Sequence, residues 1–464
     1  MRYISTRGQA PALTFEAALL TGLARDGGLY LPSEWPTIPA EEIAGFAGQR
    51  LEDVAARVIT PFIGDAFDPA TLQRLVDTAF ASFSHEARCP LVQIGVNDWL
   101  LELHHGPTLA FKDVAMQLIG QFFQTALARR RDRITIVGAT SGDTGSAAIE
   151  AFRGLDNVDV FILFPEGRIS EVQRRQMTTP AEGNVHALAV AGDFDDCQAR
   201  VKDMFNDHAF RDRVRLGAVN SINWARVLAQ TVYYFTAAVA LGAPARPVSF
   251  AVPTGNFGDI FAGYVARQMG LPIERLVIAT NRNDILHRTL DSGDHAKTQV
   301  APTISPSMDI QVSSNFERLL FELLDRNGAA VLKLMAALGT TGRFQLGHQT
   351  LARLREGFAS ARASEEETSA SLKQIYAEAG QIVCPHTAVG LHAAARERGD
   401  PNVPMVTLAT AHAAKFPDAV EAAIGIRPEL PPRMADLYDR AERVTRVAND
   451  LAALQAIISE RTRA

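Results

Sequence analysis

Cysteine is scarce in this chain: Cys89, Cys197 and Cys384 are the three among 464 residues. They are far apart and odd in number, which argues against a disulfide framework and a CxxC metal site, and fits a reducing cytoplasm. There is no HExxH pair and no Cys/His cluster, so no metal site is expected. Long hydrophobic runs are missing as well. The longest, VYYFTAAVALGAPA at 232–245, is too short to span a bilayer. The opening MRYISTRGQAP turns polar at once and lacks the apolar core of a secretory leader. Neither sign of charge dominates, with 46 basic residues against 52 acidic ones and a net charge of −6. That balance provides no basic stripe for nucleic acid and no cationic amphipathic segment for a membrane surface. What remains is an ordinary globular composition, 47% hydrophobic and 21% charged, in a length that suggests two or three domains.

Along the chain, residues 1–95 read as small helices and turns, through FEAALLTGLA, DGGLYLP and the proline-rich PSEWPTIPAEEI. LEDVAARVITPFI and ATLQRLVDTAFASF are helical, and LVQIGVNDWLLEL is strand-like. Helical and strand periods then alternate. VAMQLIGQFFQTALARR (114–130) is helical, RITIVGAT (133–140) a buried strand, DTGSAAIEAFRG a helix and VDVFILFPEG (158–167) a strand. PVSFAVPTGNFGDIFAGYVARQMG (247–270) repeats strand, glycine turn and helix, while RLVIATN (275–281) and VPMVTLATAH (403–412) supply further strands. This alternation predicts parallel sheets with helices on both faces, an α/β fold. Residues 286–315 are polar and rich in proline and serine, and read as a long functional or mobile loop. Residues 357–380 read as exposed helix. In the tail, Val444, Val447, Leu451, Leu454 and Ile458 recur at helical spacing and predict a docked amphipathic helix.

Three stretches point to chemistry. In HHGPTLAFKDVA (104–115), Lys112 follows a Gly-Pro turn among apolar neighbours. Alone it reads as a snorkelling surface lysine. In GATSGDTGSAA (138–148), a strand enters Thr140-Ser141-Gly142-Asp143-Thr144-Gly145 and a helix begins. Hydroxyls and amides at a helix N-terminus make an anion site or a simple cap, and this stretch alone does not separate the two. PTGNFGD (253–259) has the same form, with Gly255-Asn256-Phe257-Gly258 as a cradle of backbone amides. It is neither a Walker loop nor a GxGxxG fingerprint. Together the three change the ranking. Desolvation lowers the pKa of a lysine amine and makes it nucleophilic toward a carbonyl, and a cradle on another strand could hold a phosphorylated carbonyl cofactor against it. Pyridoxal phosphate (PLP) requires such anchors and a partner for its ring nitrogen.

The ordered motifs HHGPTLAFKD, ATSGDTGSAA, VPTGNFGDIFAGY, PSMDIQVSSNFERLLFE, PHTAVG and LATAHAAKFP resemble those of the threonine synthase family, as does the early STRG…FEAALLTGLARDGGLYLP. The resemblance covers residues 3–420 and is similar in its fine pattern to the yeast and proteobacterial branch. It implies the tryptophan-synthase-β fold (PLP fold type II), with two open sheets flanked by helices and an extra N-terminal α-rich segment. Implied divisions are an N-terminal domain at 1–95, a large PLP-binding domain at 96–132 and 225–430, a small mobile substrate domain at 133–224 and a helical tail at 431–464. Lys112 would carry the cofactor covalently beside Phe111, and Gly255, Asn256, Phe257 and Gly258 would hold its phosphate. Thr410 would hydrogen-bond the pyridine nitrogen, where a neutral hydroxyl moderates the electron sink and favours elimination and replacement at Cβ and Cγ. Thr140, Ser141, Asp143 and Thr144 would clasp the substrate carboxylate. Related enzymes often have Asn in place of Asp143, and a carboxylate or the cofactor's phenolate would repel an acidic group, so two roles stay open for Asp143: contact with the ligand, or ordering of the loop without touching it.

The implied reaction converts O-phospho-L-homoserine and water to L-threonine and phosphate, in the cytoplasm, by a monomer or homodimer. Candidates for the substrate's phosphate are Ser313, Ser314, Asn315 and Arg318 of SSNFER, which is preferred, then Lys415 and the His104–His105 pair. His386 and His412 are expected to orient loops. CPHTAVG and AHAAKFP replace the family's more usual DPHTAVG and AHPAKFP at Cys384 and Ala413, leaving Lys112 and Thr410 untouched. The rival readings are another fold-type-II lyase (a threonine/serine dehydratase or phospholyase) and a non-catalytic binding protein on the same scaffold.

Overall fold

The computed structural model describes residues 1–217 and 222–464; residues 218–221, within the span expected to form the small domain, lie outside the description. Two sheets organise the chain. The larger runs in the order Phe358–Arg362, Ile273–Thr280, Val248–Pro253, Met405–Ala409, Asp98–Glu102, Leu91–Gln93. Its first five strands are parallel, and the last closes an antiparallel hairpin. The smaller runs Thr445–Val447, Val185–Val190, Val158–Pro165, Ile134–Ala139, Leu216–Gly217, parallel throughout.

The strand sequences explain the layering. VSFAVP and VDVFILFP are buried at every position, as expected for parallel strands covered on both faces. The polar exception in the second, Asp159, accepts hydrogen bonds at 2.7 Å from the backbone N–H and Nε of Arg463. A charge inside the sheet is thereby neutralised by the C-terminal residues. The helices Lys112–Arg130 and Trp224–Ala240 are buried along most of their length and pack on each other. The N-terminal segment docks through Tyr3, whose hydroxyl donates to Phe62 O at 2.8 Å, and through Arg7 and Thr6, which both bond Glu317.

Three expectations need correction. The apolar repeat at 444–458 is a strand, Thr445–Val447, followed by a helix, Leu451–Arg461. Val447 therefore ends an edge strand and Val444 precedes it, packed on the main core, because a β period and a helical period coincide over so short a stretch. Residues 286–315 are not one loop: they contain most of the helix Ile285–Ser292, the strand Asp294–Ala296 and a turn at Pro306–Met308. Asp309 ties the remainder down by accepting from Thr303 N and Oγ1, Asn281 Nδ2 and Asn283 Nδ2 at 2.6–2.9 Å. Finally, 357–380 opens with the edge strand Phe358–Arg362 before its helix, Glu365–Ala379.

Candidate active site between the two sheets

The HHGPTLAFKD turn is locked by its own aspartate. Asp113 accepts from Thr108 N at 2.8 Å and Thr108 Oγ1 at 2.6 Å, and Leu109 is held at a left-handed φ of +64°. The turn is stitched to the end of the strand Met405–Ala409: Phe111 N donates to Thr410 O at 2.8 Å and His412 N to Leu109 O at 3.0 Å. Lys112 then opens a helix, buried at 8% exposure, with Nζ 4.6 Å from the centroid of the Phe111 ring. Burial lowers its pKa; Asp143 opposes that shift, while Arg226 and Lys415 add to it.

Lysine is rare in this chain, with six residues in all. Four of them are exposed, and the two buried ones, Lys112 and Lys415, converge on a single carboxylate. Asp143 Oδ1 lies 2.8 Å from Lys415 Nζ, and Oδ2 lies 3.4 Å from Lys112 Nζ. Gln173 Nε2 and Ser307 Oγ also donate to it, at 2.8 and 3.2 Å. Burial alone would raise the Asp143 pKa, but Lys415, then Lys112 and His386, hold it well below the ordinary carboxylate range. Lys415 also donates to Thr108 O at 2.8 Å, so it links the Asp143 helix to the Lys112 turn.

Gly255–Gly258 follows the strand Val248–Pro253 and opens the helix Gly258–Gln268. Phe257 adopts φ +64°, a costly conformation for a non-glycine residue, and its buried ring packs edge-on against Phe316 at 5.3 Å. A Cβ at Gly255 would sit 2.9 Å from Ser307 O, so the neighbouring turn requires glycine there. Behind the cradle, Ser313 Oγ donates to Gly255 O at 2.5 Å, and Asn315 N and Nδ2 donate to Asn256 O at 3.1 and 3.0 Å. With these carbonyls engaged from the rear, the first-turn amides, which have no intrahelical acceptor, remain for an anion. Gly255→Ala is expected to weaken PLP binding about tenfold or more through overpacking against Ser307, measured by absorbance titration.

The structure thus gathers Phe111, Lys112, Asp143, Thr144, Gly255, Asn256, Phe257, Gly258 and Thr410 around one cavity. Other expected site residues lie elsewhere. Thr140 is a buried cap, its Oγ1 accepting from Gly142 N and Gly145 N at 2.9 Å. Ser141 is partly exposed beside it. SSNFER does not line the cavity. Ser313 and Asn315 brace the cradle, Ser314 borders a separate hollow near Arg7, and Arg318 is fully buried with its guanidinium on Tyr30 O, Ile222 O and Asn315 Oδ1. Two hydroxyls and an amide before a helix look like an anion site in sequence, yet here the partners of Ser313, Asn315 and Arg318 include four backbone carbonyls. His104 and His105 pack beside His85 and His412, with His105 on Glu102 at 2.7 Å, and do not line the cavity.

His386, expected to orient a loop, is a buried wall residue, held neutral by burial with its pKa down to about 4, and its Nε2 accepts from Ser307 N at 3.1 Å. Other wall residues escaped the sequence reading. Arg226 and Gln230 are both buried against the cavity from the helix Trp224–Ala240. Their signal was available, since they are the two long polar side chains in WARVLAQTVYYFTAAVA and stand four residues apart. Asp259 accepts from the hydroxyls of Tyr233 and Tyr234, and burial raises its pKa to about 6.

A desolvated lysine, an amide cradle closed to any side chain at Gly255, a buried arginine and a hydroxyl-bearing Thr410 fit a phosphorylated aldehyde cofactor. Residues 2–80 match the family model for the threonine synthase N terminus, 85–337 that for pyridoxal-phosphate dependent enzymes, and 387–458 that for the threonine synthase C-terminal region. A threonine synthase from Pseudomonas aeruginosa is 54% identical over 99% of this chain and 98% of its own. The PLP-bound threonine synthase of Brucella melitensis is 56% identical, with TM-score 0.97 over 100% of both chains. The yeast threonine synthase structure is 41% identical, with TM-score 0.93 over 99% of this chain and 98% of that one. This chain belongs to the threonine synthase family of pyridoxal-phosphate-dependent, fold-type-II enzymes.

Proposed function

We propose that the cavity converts O-phospho-L-homoserine and water to L-threonine and phosphate, with Lys112 as the catalytic base and the point of cofactor attachment. The observation that carries this reading is the placement of a desolvated amine, an amide cradle and a hydroxyl in one cavity. Gly255, Asn256, Phe257 and Gly258 would hold the cofactor phosphate, Phe111 would border the cofactor and Thr410 would offer its hydroxyl to the ring nitrogen. When bound, PLP supplies the electron sink that stabilises negative charge on the substrate carbons. Lys112 Nζ takes the proton from Cα, and its depressed pKa keeps the neutral amine available for this. Loss of a β-proton accompanies departure of phosphate from Cγ; Cγ is reprotonated, water adds at Cβ, and Lys112 returns a proton to Cα. Ser141 and Thr144, at the start of the helix Asp143–Phe152, receive the substrate carboxylate.

Asp143 acts through the two lysines and not on the substrate: its carboxylate holds both buried side-chain nitrogens in one volume. Asp143 and Thr144 follow the small sheet, while Lys112, the cradle and Thr410 belong with the large one. That division supports residues 133–224 acting as a mobile substrate domain that excludes water on closing. Among the described residues no helix is long and apolar enough to cross a membrane, and all three cysteines are buried and free, which supports a cytoplasmic setting.

The test is incubation with PLP and O-phosphohomoserine, measuring phosphate and threonine together. Equimolar formation of both is expected. Formation of 2-oxobutanoate in place of threonine would assign the protein to the rival lyases, and absence of any product would leave a binding protein.

A further inference from the structure

Arg226 stands apart in the cavity wall. It is 3% exposed, yet its Nε and Nη1 have no hydrogen-bond partner among the described residues. A guanidinium buried this way loses its hydration, and its pKa falls to about 10 from burial, with Tyr233 and Asp259 opposing the fall. No carboxylate lies within 4 Å of its nitrogens among the described residues; Asp259, which takes both tyrosine hydroxyls on Oδ1 and leaves Oδ2 without a partner, acts on it only at longer range. A buried, unpaired arginine is strongly destabilising unless an anion completes it. The cavity wall it shares includes Gly255–Gly258 and Asp259 at the start of the helix Gly258–Gln268, where backbone amides present a second set of donors.

We infer that Arg226 is a direct ligand of the cofactor's phosphate ester and the residue that selects phosphorylated over unphosphorylated cofactor. This rests on the proposal that Gly255–Gly258 holds that phosphate. The amides supply directional donors and a partial charge, whereas Arg226 supplies the full counter-charge and a forked donor set suited to phosphate oxygens. The same phosphate chemistry could come from the substrate, so the test uses cofactor alone.

Cofactor-free full-length protein is titrated with PLP and separately with pyridoxal, following the absorbance of the lysine-bound form, for wild type, Arg226→Gln, Arg226→Lys and Lys112→Ala. Arg226→Gln is expected to weaken PLP binding by about 10- to 150-fold, the range of a lost charge-assisted hydrogen bond, and to leave pyridoxal binding within about threefold. Inorganic phosphate should compete with PLP in wild type and lose that effect in Arg226→Gln. Equal weakening of PLP and pyridoxal would assign Arg226 a purely structural role, and unchanged PLP binding would also overturn the inference. Should Arg226→Gln fail to fold, Arg226→Lys carries the same comparison, because it keeps the charge and loses the fork. Retention of the lysine-bound absorbance in Lys112→Ala would instead refute the underlying cofactor site, independently of Arg226.

Discussion

Replacing Lys112 by alanine is expected to lower turnover by about 10²- to 10⁴-fold while leaving the fold intact. The reasons are structural. The amine is buried, sits on the first residue of a helix whose N-terminal field disfavours a cation, and has Lys415 and Arg226 as neighbouring cations. Each of these favours the neutral form that a base requires. Lys415 is the other buried lysine, but it is held by Thr108 O and Asp143 and has no exposed surface from which to substitute. The measurement is threonine release under saturating PLP, paired with circular dichroism to verify folding. Activity within tenfold of wild type would remove Lys112 from the chemistry.

Asp143→Asn should lower stability by about 3–5 kcal/mol, the cost of breaking a buried pair and leaving its cation uncompensated. Both buried lysine nitrogens lie against this one carboxylate, so the loss falls on both the Lys112 turn and the Lys415 segment. The pH dependence follows from its depressed pKa. The contribution is fully present above the unfolded carboxylate value near 4 and is lost only as pH falls through the lower folded value. Denaturant midpoints should therefore show the same wild-type-to-mutant gap at pH 7 and at pH 5.5. Adding Lys415→Met to Asp143→Asn should recover part of the loss, because the second cation is then absent. Equal stability of Asp143→Asn and wild type would show that the carboxylate is not the counter-ion.

Removal of Asp143 should also depress the Lys112 pKa further, since the carboxylate is what holds it up against burial. Cofactor attachment would then persist to lower pH in Asp143→Asn than in wild type. Absorbance titrations across pH 5–9 read this shift.

What the sequence disclosed was local. Lys112, Gly255–Gly258 and Thr410 each lie where a strand ends or a helix begins, and such junctions carry their own signature of glycine, hydroxyl and apolar neighbours. Parallel strands such as VDVFILFP were legible because burial on both faces leaves no polar alternation. Residues whose role depends on distant partners were opaque. Asp143 reads as a helix cap until Lys415, more than 250 positions away, is seen against it. Arg226 reads as one arginine in a helix until it is found lining the cavity with two buried nitrogens unpartnered among the described residues. SSNFER shows the reverse problem: its composition suggested a ligand site, while its hydroxyl and amide groups brace the cradle from behind. Short edge strands, Phe358–Arg362 and Thr445–Val447, escaped because three to five residues hold too few periods to separate strand from helix.

The central claim is that one of two buried lysines, and specifically Lys112, carries the cofactor. Borohydride reduction of the PLP-loaded protein, followed by digestion and tandem mass spectrometry, tests it without relying on turnover. The expected result is a pyridoxyl phosphate mass on Lys112 and on no other lysine. The same mass on Lys415, or no modified lysine in a protein that has bound PLP, would contradict the account.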